Sequence, residues 1–235
     1  MSAVIQTEYV NQYAKERVCQ SGIYGNDYFS SLQNGSMSQQ EFILTQEQFY
    51  YAVNFFSRPM TALMARIPNA GKRLSILENI VEEHGSFRES AFHETTFIEF
   101  LMSMGVAPEK LEELILWPEV RAFNSTLMTA CVFDEPEVGI GCLGAIELMF
   151  AEISSIIGRA AVERSWCSSA ELKHYRLHSE IDSRHAADFF NTVEEYWGMS
   201  EKQYFIKQGI DMGVYIFDRF YKDLGASAKH FLYTV

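Results

Sequence analysis

The chain has little positive charge: 19 Lys and Arg stand against 31 Asp and Glu, a net charge of -12 over 235 residues. No basic cluster occurs, which argues against a nucleic-acid partner, because phosphate binding needs grouped Lys and Arg. Cysteine is scarce as well. Cys19, Cys131, Cys142 and Cys167 lie far apart with no CxxC pair, so a disulfide framework is not expected and free thiols in a cytoplasmic protein are. The first residues lack a basic stretch followed by an apolar one, so no signal peptide is expected. No unbroken apolar run approaches the ~20 residues of a membrane span, so no membrane association is expected either. Segments of alternating polarity, the mark of half-buried strands, are missing too.

What is present is helical periodicity almost throughout. The pattern predicts seven helices, near residues 4–20, 38–66, 70–104, 108–131, 136–164, 169–197 and 200–225. Ser38-x-x-Glu41, Ser168-x-x-Glu171 and Ser200-x-x-Gln203 read as capping boxes, and Asp134 just before Pro136 as a similar start. Pro59 falls inside the second predicted helix, where it should kink the axis. With no low-complexity linker and no repeat, residues 1–235 read as one all-α domain, a bundle of long helices. In such bundles, sites are assembled from side chains on facing helices.

The segment HSEIDSRHA, residues 178–186, places His178, Asp182 and His185 on one stripe of a helix at the spacing that usually faces a core. These are metal-ligand residue types, although an exposed polar stripe would read the same in isolation. Other helices offer inward candidates. Glu147 sits among Ile146, Leu148, Met149 and Phe150, where an ionised carboxylate is costly unless paired or metal-bound. The segment NIVEEHGSFRESAFHETTF, residues 79–97, supplies Glu82, Glu83, His84 and His93 within an apolar frame. Glu47 lies one turn before the aromatic run Phe49, Tyr50, Tyr51, Phe55 and Phe56. The diiron pattern with two Glu-x-x-His pairs is absent, since only Glu171-x-x-His174 occurs.

Taken in order, Glu83, His93, Glu147 and His178-x-x-x-Asp182-x-x-His185 resemble the ligand set of the haem-oxygenase-like diiron oxidase family over roughly residues 40–190. The resemblance implies a seven-helix haem-oxygenase-like bundle in which those six residues hold two Fe(II) ions, with Glu47 the nearest match to a carboxylate that some members add. Carboxylates and imidazoles suit Fe(II) and Mn(II), and no thiolate-rich site competes. Glu83 and His93 are ten residues apart, which on a straight helix means ~15 Å along the axis and ~80° around it. The helix should therefore break, most simply at Gly85-Ser86. His84 remains a rival to His93.

The resemblance implies an O2-dependent oxidase acting on an amino-acid-like small molecule by N-oxygenation or C–C cleavage, with an external electron donor and a homodimer left open. The high aromatic content, 18 Phe and 12 Tyr, favours an aromatic, tryptophan-like substrate. It suggests a likeness to the family's cyanobacterial nitrile-forming member, which acts on a brominated tryptophan. Arg88 is a candidate for gripping a substrate carboxylate. Fatty-acid decarboxylation or desaturation is the alternative within the family. Two other occupants of the fold read less well: residues 1–83 hold no histidine to serve as a haem ligand, and Cys131 and Cys142 have no recognisable thiaminase-like setting. A non-catalytic helical protein, its acids merely solvating helix faces, is the rival from another class.

Overall fold

A computed structural model describes residues 8–233, and every described regular element is helical. The ten α-helices are α1 (Tyr9–Ser21), α2 (Asp27–Asn34), α3 (Gln39–Arg66), α4 (Ala70–Glu83), α5 (His93–Ser103), α6 (Pro108–Glu113), α7 (Pro118–Val132), α8 (Pro136–Glu163), α9 (Lys173–Val193) and α10 (Ser200–Tyr233). The count exceeds seven for three local reasons. Asn26 caps an unpredicted α2 by accepting from the Phe29 N–H. The predicted helix over 70–104 breaks between Glu83 and His93. Pro118, at the first helical position of α7, separates it from α6.

The capping box at Ser38 forms as expected and opens α3, which then runs unbroken through Pro59. Ser168 and Glu171 also cap reciprocally, although they start a short 3-10 turn ahead of α9. Two predicted starts shift: Glu135, not Asp134, occupies the N-cap of α8, without a side-chain bond. Ser200 lies within α10, where the Gln203 N–H bonds to the Met199 carbonyl.

Helix α8 is the central post. It is long and apolar enough to span a bilayer, yet most of its apolar stretch is buried by the other helices. It packs chiefly against α9 and α10. Glycine makes the α8–α10 crossing unusually close: a Cβ on Gly209 would lie 2.2 Å from the Val138 carbonyl oxygen, and one on Gly213 would lie 2.6 Å from that of Cys142. On the other side, a Cβ on Gly144 would meet the Phe190 ring at 2.6 Å. These contacts set α8 deep in the bundle, so Glu147 is carried to its centre, only 3% exposed.

Candidate metal centre

The break after α4 is what assembles the first half of the site. Gly85, Ser86 and Phe87 all have positive φ, at 57°, 51° and 67°. This is the left-handed region, which costs non-glycine residues roughly 1–2 kcal/mol each. The chain then reverses through two 3-10 turns, and the Ala91–Phe92 backbone passes so close over Gly85 that a Cβ there would lie 2.4 Å from Ala91 C. The reversal returns α5 beside the end of α4. His93 Nδ1 and Glu83 Oε1, far apart on a straight helix, stand 3.0 Å apart, both side chains buried.

Helix α9 supplies the second half, and the stripe predicted for it faces inward. His178, Asp182 and His185 are 5%, 0% and 0% exposed, which excludes the solvated-face reading. The His178 Nδ1–H donates to the Asp182 carboxylate at 2.9 and 3.1 Å. His185 Nδ1 lies 3.7 Å from Glu147 Oε2 and 3.8 Å from Asp182 Oδ1. The His93 and His178 rings, 4.5 Å apart between centroids, join the two halves. Six of the seven predicted ligands thus converge on one buried volume.

Glu47 does not. On a helix turning ~100° per residue, Phe49, Ala52, Val53 and Phe56 of α3 point to the cavity beside the cluster, and Glu47 points roughly the opposite way. It is buried there in an ion pair with Lys110 of α6. Arg88 is likewise displaced: it is exposed on the reversing turn and lines no part of that cavity. His84 is exposed, and its Nδ1–H donates to the Ile80 carbonyl at 2.7 Å. It finishes α4 rather than entering the cluster.

Two neighbours complete the site. Glu82 accepts a hydrogen bond from His185 Nε2–H at 2.7 Å and also pairs with Arg184. His174, one turn before His178 and fully buried, has its ring 4.3 Å from the His178 ring and its Nδ1 3.3 Å from Thr96 Oγ1. It continues the inward stripe by the same spacing, a signal readable in the sequence.

Burial and crowding of like charges decide protonation. Burial, with the Asp182 charge added, pushes the Glu147 carboxyl up to about 7. Burial also raises Asp182 well above its ordinary value. Glu83 goes the other way: burial opposes its ionisation, but the neighbouring His93 outweighs that and holds it at about 2. His178 is pushed down to about 3 by burial and by the nearby His93. His185, despite burial, is raised to about 10 by the nearby Glu147 carboxylate, by its hydrogen bond to Glu82 and by the Asp182 charge.

The donor set fits a metal. Glu83, Glu147 and His185 each offer a ligand atom, and these atoms lie within 4.8 Å of one another. Glu147 Oε1, His93 Nε2, His178 Nε2 and His185 Nδ1 are all buried without a hydrogen-bond partner. Buried polar atoms are rarely left so, and bound cations would supply the missing partners. Hard carboxylate and imidazole donors suit iron, and no cysteine is near enough to join them. The cavity next to these atoms is walled mainly by aromatic and aliphatic side chains of α3, α7, α8 and α10.

A helical bundle with buried carboxylates and imidazoles converging beside an apolar cavity defines a candidate metal-binding bundle protein. The chain belongs to the family described as iron-containing redox enzymes, whose sequence pattern matches residues 44–225. It is similar to the 4-aminobenzoate synthase of Chlamydia pneumoniae, 22% identical over 163 residues that cover 69% of this chain and 71% of that one. The backbone is similar to a domain of unknown function with a heme oxygenase-like fold from Shewanella denitrificans, with a TM-score of 0.78, 17% identity, and coverage of 100% of this chain and 97% of that one. It is also similar to a CADD-like protein of unknown function from Nostoc punctiforme, with a TM-score of 0.77, 16% identity, and coverage of 94% and 99%. The fold is thus the haem-oxygenase-like all-α bundle. None of these relatives points to nitrile formation from a brominated tryptophan.

Proposed function

We propose that the protein is a non-haem diiron oxidase that uses O2 to oxidise a small aromatic, amine-bearing molecule. The observation that carries this reading is the set of four buried ligand-type atoms, Glu147 Oε1, His93 Nε2, His178 Nε2 and His185 Nδ1, left without a hydrogen-bond partner. Glu83, Glu147, His93, His178 and His185 would hold the ions. Asp182 would orient His178 and offset charge, or enter the coordination sphere by turning from it. Bound iron supplies the electrons and the open coordination positions that O2 reduction needs.

The chain's own residues account for the rest. The Asp182 carboxylate fixes His178 with its Nδ1 protonated, leaving Nε2 as the donor. Glu82 does the same for His185, leaving Nδ1. The aromatic walls exclude water, so charges within the site are weakly screened and each is felt by its neighbours. The likeness to 4-aminobenzoate synthases supports an aromatic, amine-bearing substrate or product, and the ring-lined cavity agrees with it. A thiaminase-like reading finds no nucleophile: Cys131 and Cys142 are buried, and burial raises both thiols, Cys142 to about 12.

The test is anaerobic loading with Fe(II), metal analysis, and exposure to O2 with an arylamine, tryptophan or a fatty acid present. Two irons per chain and an oxidised arylamine or tryptophan are expected. A stoichiometry of one or none sinks the diiron reading, and turnover of the fatty acid alone moves the substrate class to alkyl carboxylates.

A further inference from the structure

Helix α3 separates two spaces. Phe49, Ala52, Val53 and Phe56 face the cavity beside the cluster. At ~100° per residue, Tyr50, Tyr51, Asn54, Phe55 and Arg58 face the other way. They form one wall of a groove of about 680 Å³ that opens to solvent. Small-molecule sites span ~300–1,000 Å³. The facing wall is built from α6, α7 and the segment that joins them, and it includes Leu111, Leu116, Arg121 and Met128.

Hydrogen bonds brace both walls. The buried Gln48 Nε2–H donates to the Ile115 carbonyl at 3.0 Å, and Gln48 Oε1 accepts from the Trp117 N–H at 2.9 Å. The joining segment is thereby fixed to α3. The Tyr51 hydroxyl donates to the Leu111 carbonyl at 2.5 Å, and Asn124 Nδ2–H on α7 donates to the Tyr51 carbonyl at 3.2 Å. A ligand meets walls already in place, so little ordering opposes binding.

The groove's charge is specific. Arg58 and Arg121 stand exposed on opposite walls, and neither has a carboxylate partner among the described residues. Asn54 Oδ1 accepts from Arg58 Nη2–H at 3.1 Å, which steadies that guanidinium at the groove. Two arginines less one acid, Glu112, leave the lining at +1 on a chain of -12. That balance suits a monoanion, and a guanidinium fork matches a planar carboxylate. Tyr50, Tyr51 and Phe55 supply aromatic surface for a ring.

We propose that this groove is a second ligand site, which binds a small aromatic monocarboxylate between Arg58 and Arg121. Helix α3 stands between that ligand and the cluster, so the molecule bound there is not placed for oxidation. It occupies an accessory site whose affinity is independent of iron, and the assignment stands apart from the diiron reading.

The experiment titrates 2-naphthoate calorimetrically into metal-free and Fe(II)-loaded protein under argon. One saturable site of equal affinity in both forms is expected. 2-Naphthamide, which keeps the rings and loses the charge, should bind at least ~10-fold more weakly, and inorganic phosphate should not compete. Arg58→Ala and Arg121→Ala should each weaken binding several-fold, as expected for exposed ion pairs, and the Lys variants should recover part of it. Ser125→Trp, at an exposed position on the α7 wall, should fill the groove and abolish binding, which provides a second test should an arginine variant fail to fold. Crystals soaked in 6-bromo-2-naphthoate should show the bromine in the groove by anomalous scattering. Bromine at the cluster, affinity that follows iron content, equal binding of the amide or competition by phosphate each overturn the proposal. Unchanged affinity in the Arg58→Ala/Arg121→Ala double variant does so too, as does the absence of binding to the parent protein.

Discussion

His185 divides its two ring nitrogens between partners of different kinds. Nε2 lies 2.7 Å from Glu82 Oε2, and Nδ1 faces Glu147 Oε2 at 3.7 Å. The first contact is a hydrogen bond and the second is too long to be one, so Glu82 decides which nitrogen is free for a metal. Glu82→Ala should therefore weaken iron binding by ~10–100-fold, the usual cost of losing such a partner. Glu82→Gln, which still accepts the bond, should recover part of it. Iron titrations that show equal affinity in all three proteins would remove Glu82 from this role.

Replacing His178 or Asp182 with Ala should remove most bound iron while helix content stays near that of the parent. Glu47→Ala should act in the opposite sense, with iron retained and stability reduced, because it leaves Lys110 without its carboxylate. Metal analysis and circular dichroism on the three variants separate the roles. Wild-type-like iron content in both the His178 and the Asp182 variant would end the assignment of α9 as the ligand helix.

The metal-free protein should lose stability as pH rises from 6.5 to 9. The depressed His174 and His178 are neutral in the fold and lose their unfolded-state protons by about pH 7.5, so their opposing slope is confined to the foot of the range. Glu147, raised to about 7, and His185, raised to about 10, keep protons in the folded state that the unfolded chain has released. For such raised groups, stability is full below the unfolded pKa and is lost as pH climbs through the folded one, at up to about 1.4 kcal/mol per group and pH unit. Bound iron displaces those protons, so the loaded protein should hold its Tm better over the same range, and iron affinity should increase with pH. Thermal melts at both ends of the range, with and without Fe(II), check this. A metal-free Tm that is flat or rising would contradict it.

Gly85→Ala should cost stability and iron together. Its φ of 57° is strained for alanine, and the added Cβ would sit 2.4 Å from the Ala91 backbone, so a loss of at least ~2 kcal/mol is expected. Because the reversal places His93 beside Glu83, iron affinity should fall even where the variant folds. Exposed Ser86→Gly, at φ 51°, should instead be neutral or stabilising. Denaturant melts paired with iron titrations test both, and a Gly85→Ala variant with parental iron affinity would show that the turn does not place His93.

Much of this site was legible because its logic is local. The spacing of His178, Asp182 and His185 is a helix-face argument, and α9 obeys it. The break near Gly85 followed from an impossibility, since two ligands of one centre cannot be ~15 Å apart. Glu147 was legible as an acid in apolar company. What failed depended on rotation about a helix axis or on long-range partners. Glu47 has the same apolar company as Glu147, but only the packing of α3 reveals that it faces Lys110. Arg88 sits near the ligands in sequence, yet the reversal turns it to solvent. Glu82 was visible but roleless, because its partner His185 lies 103 residues away. The helix count went astray where Pro118 and Asn26 outweighed a continuous apolar period.

The α8–α10 crossing limits how this protein can change. Where helices meet through side chains, a substitution on one face can be absorbed by a rotamer on the other. Here Gly209 and Gly213 bring backbone against backbone, and that kind of adjustment is unavailable. Helix α8 can neither roll nor slide without collision, so Glu147 is a fixed datum against which the other ligands are placed. Divergence in metal preference or reactivity within this architecture must then come from α9 and the α4–α5 reversal, whose side chains and turn geometry can vary while the central post stays where it is.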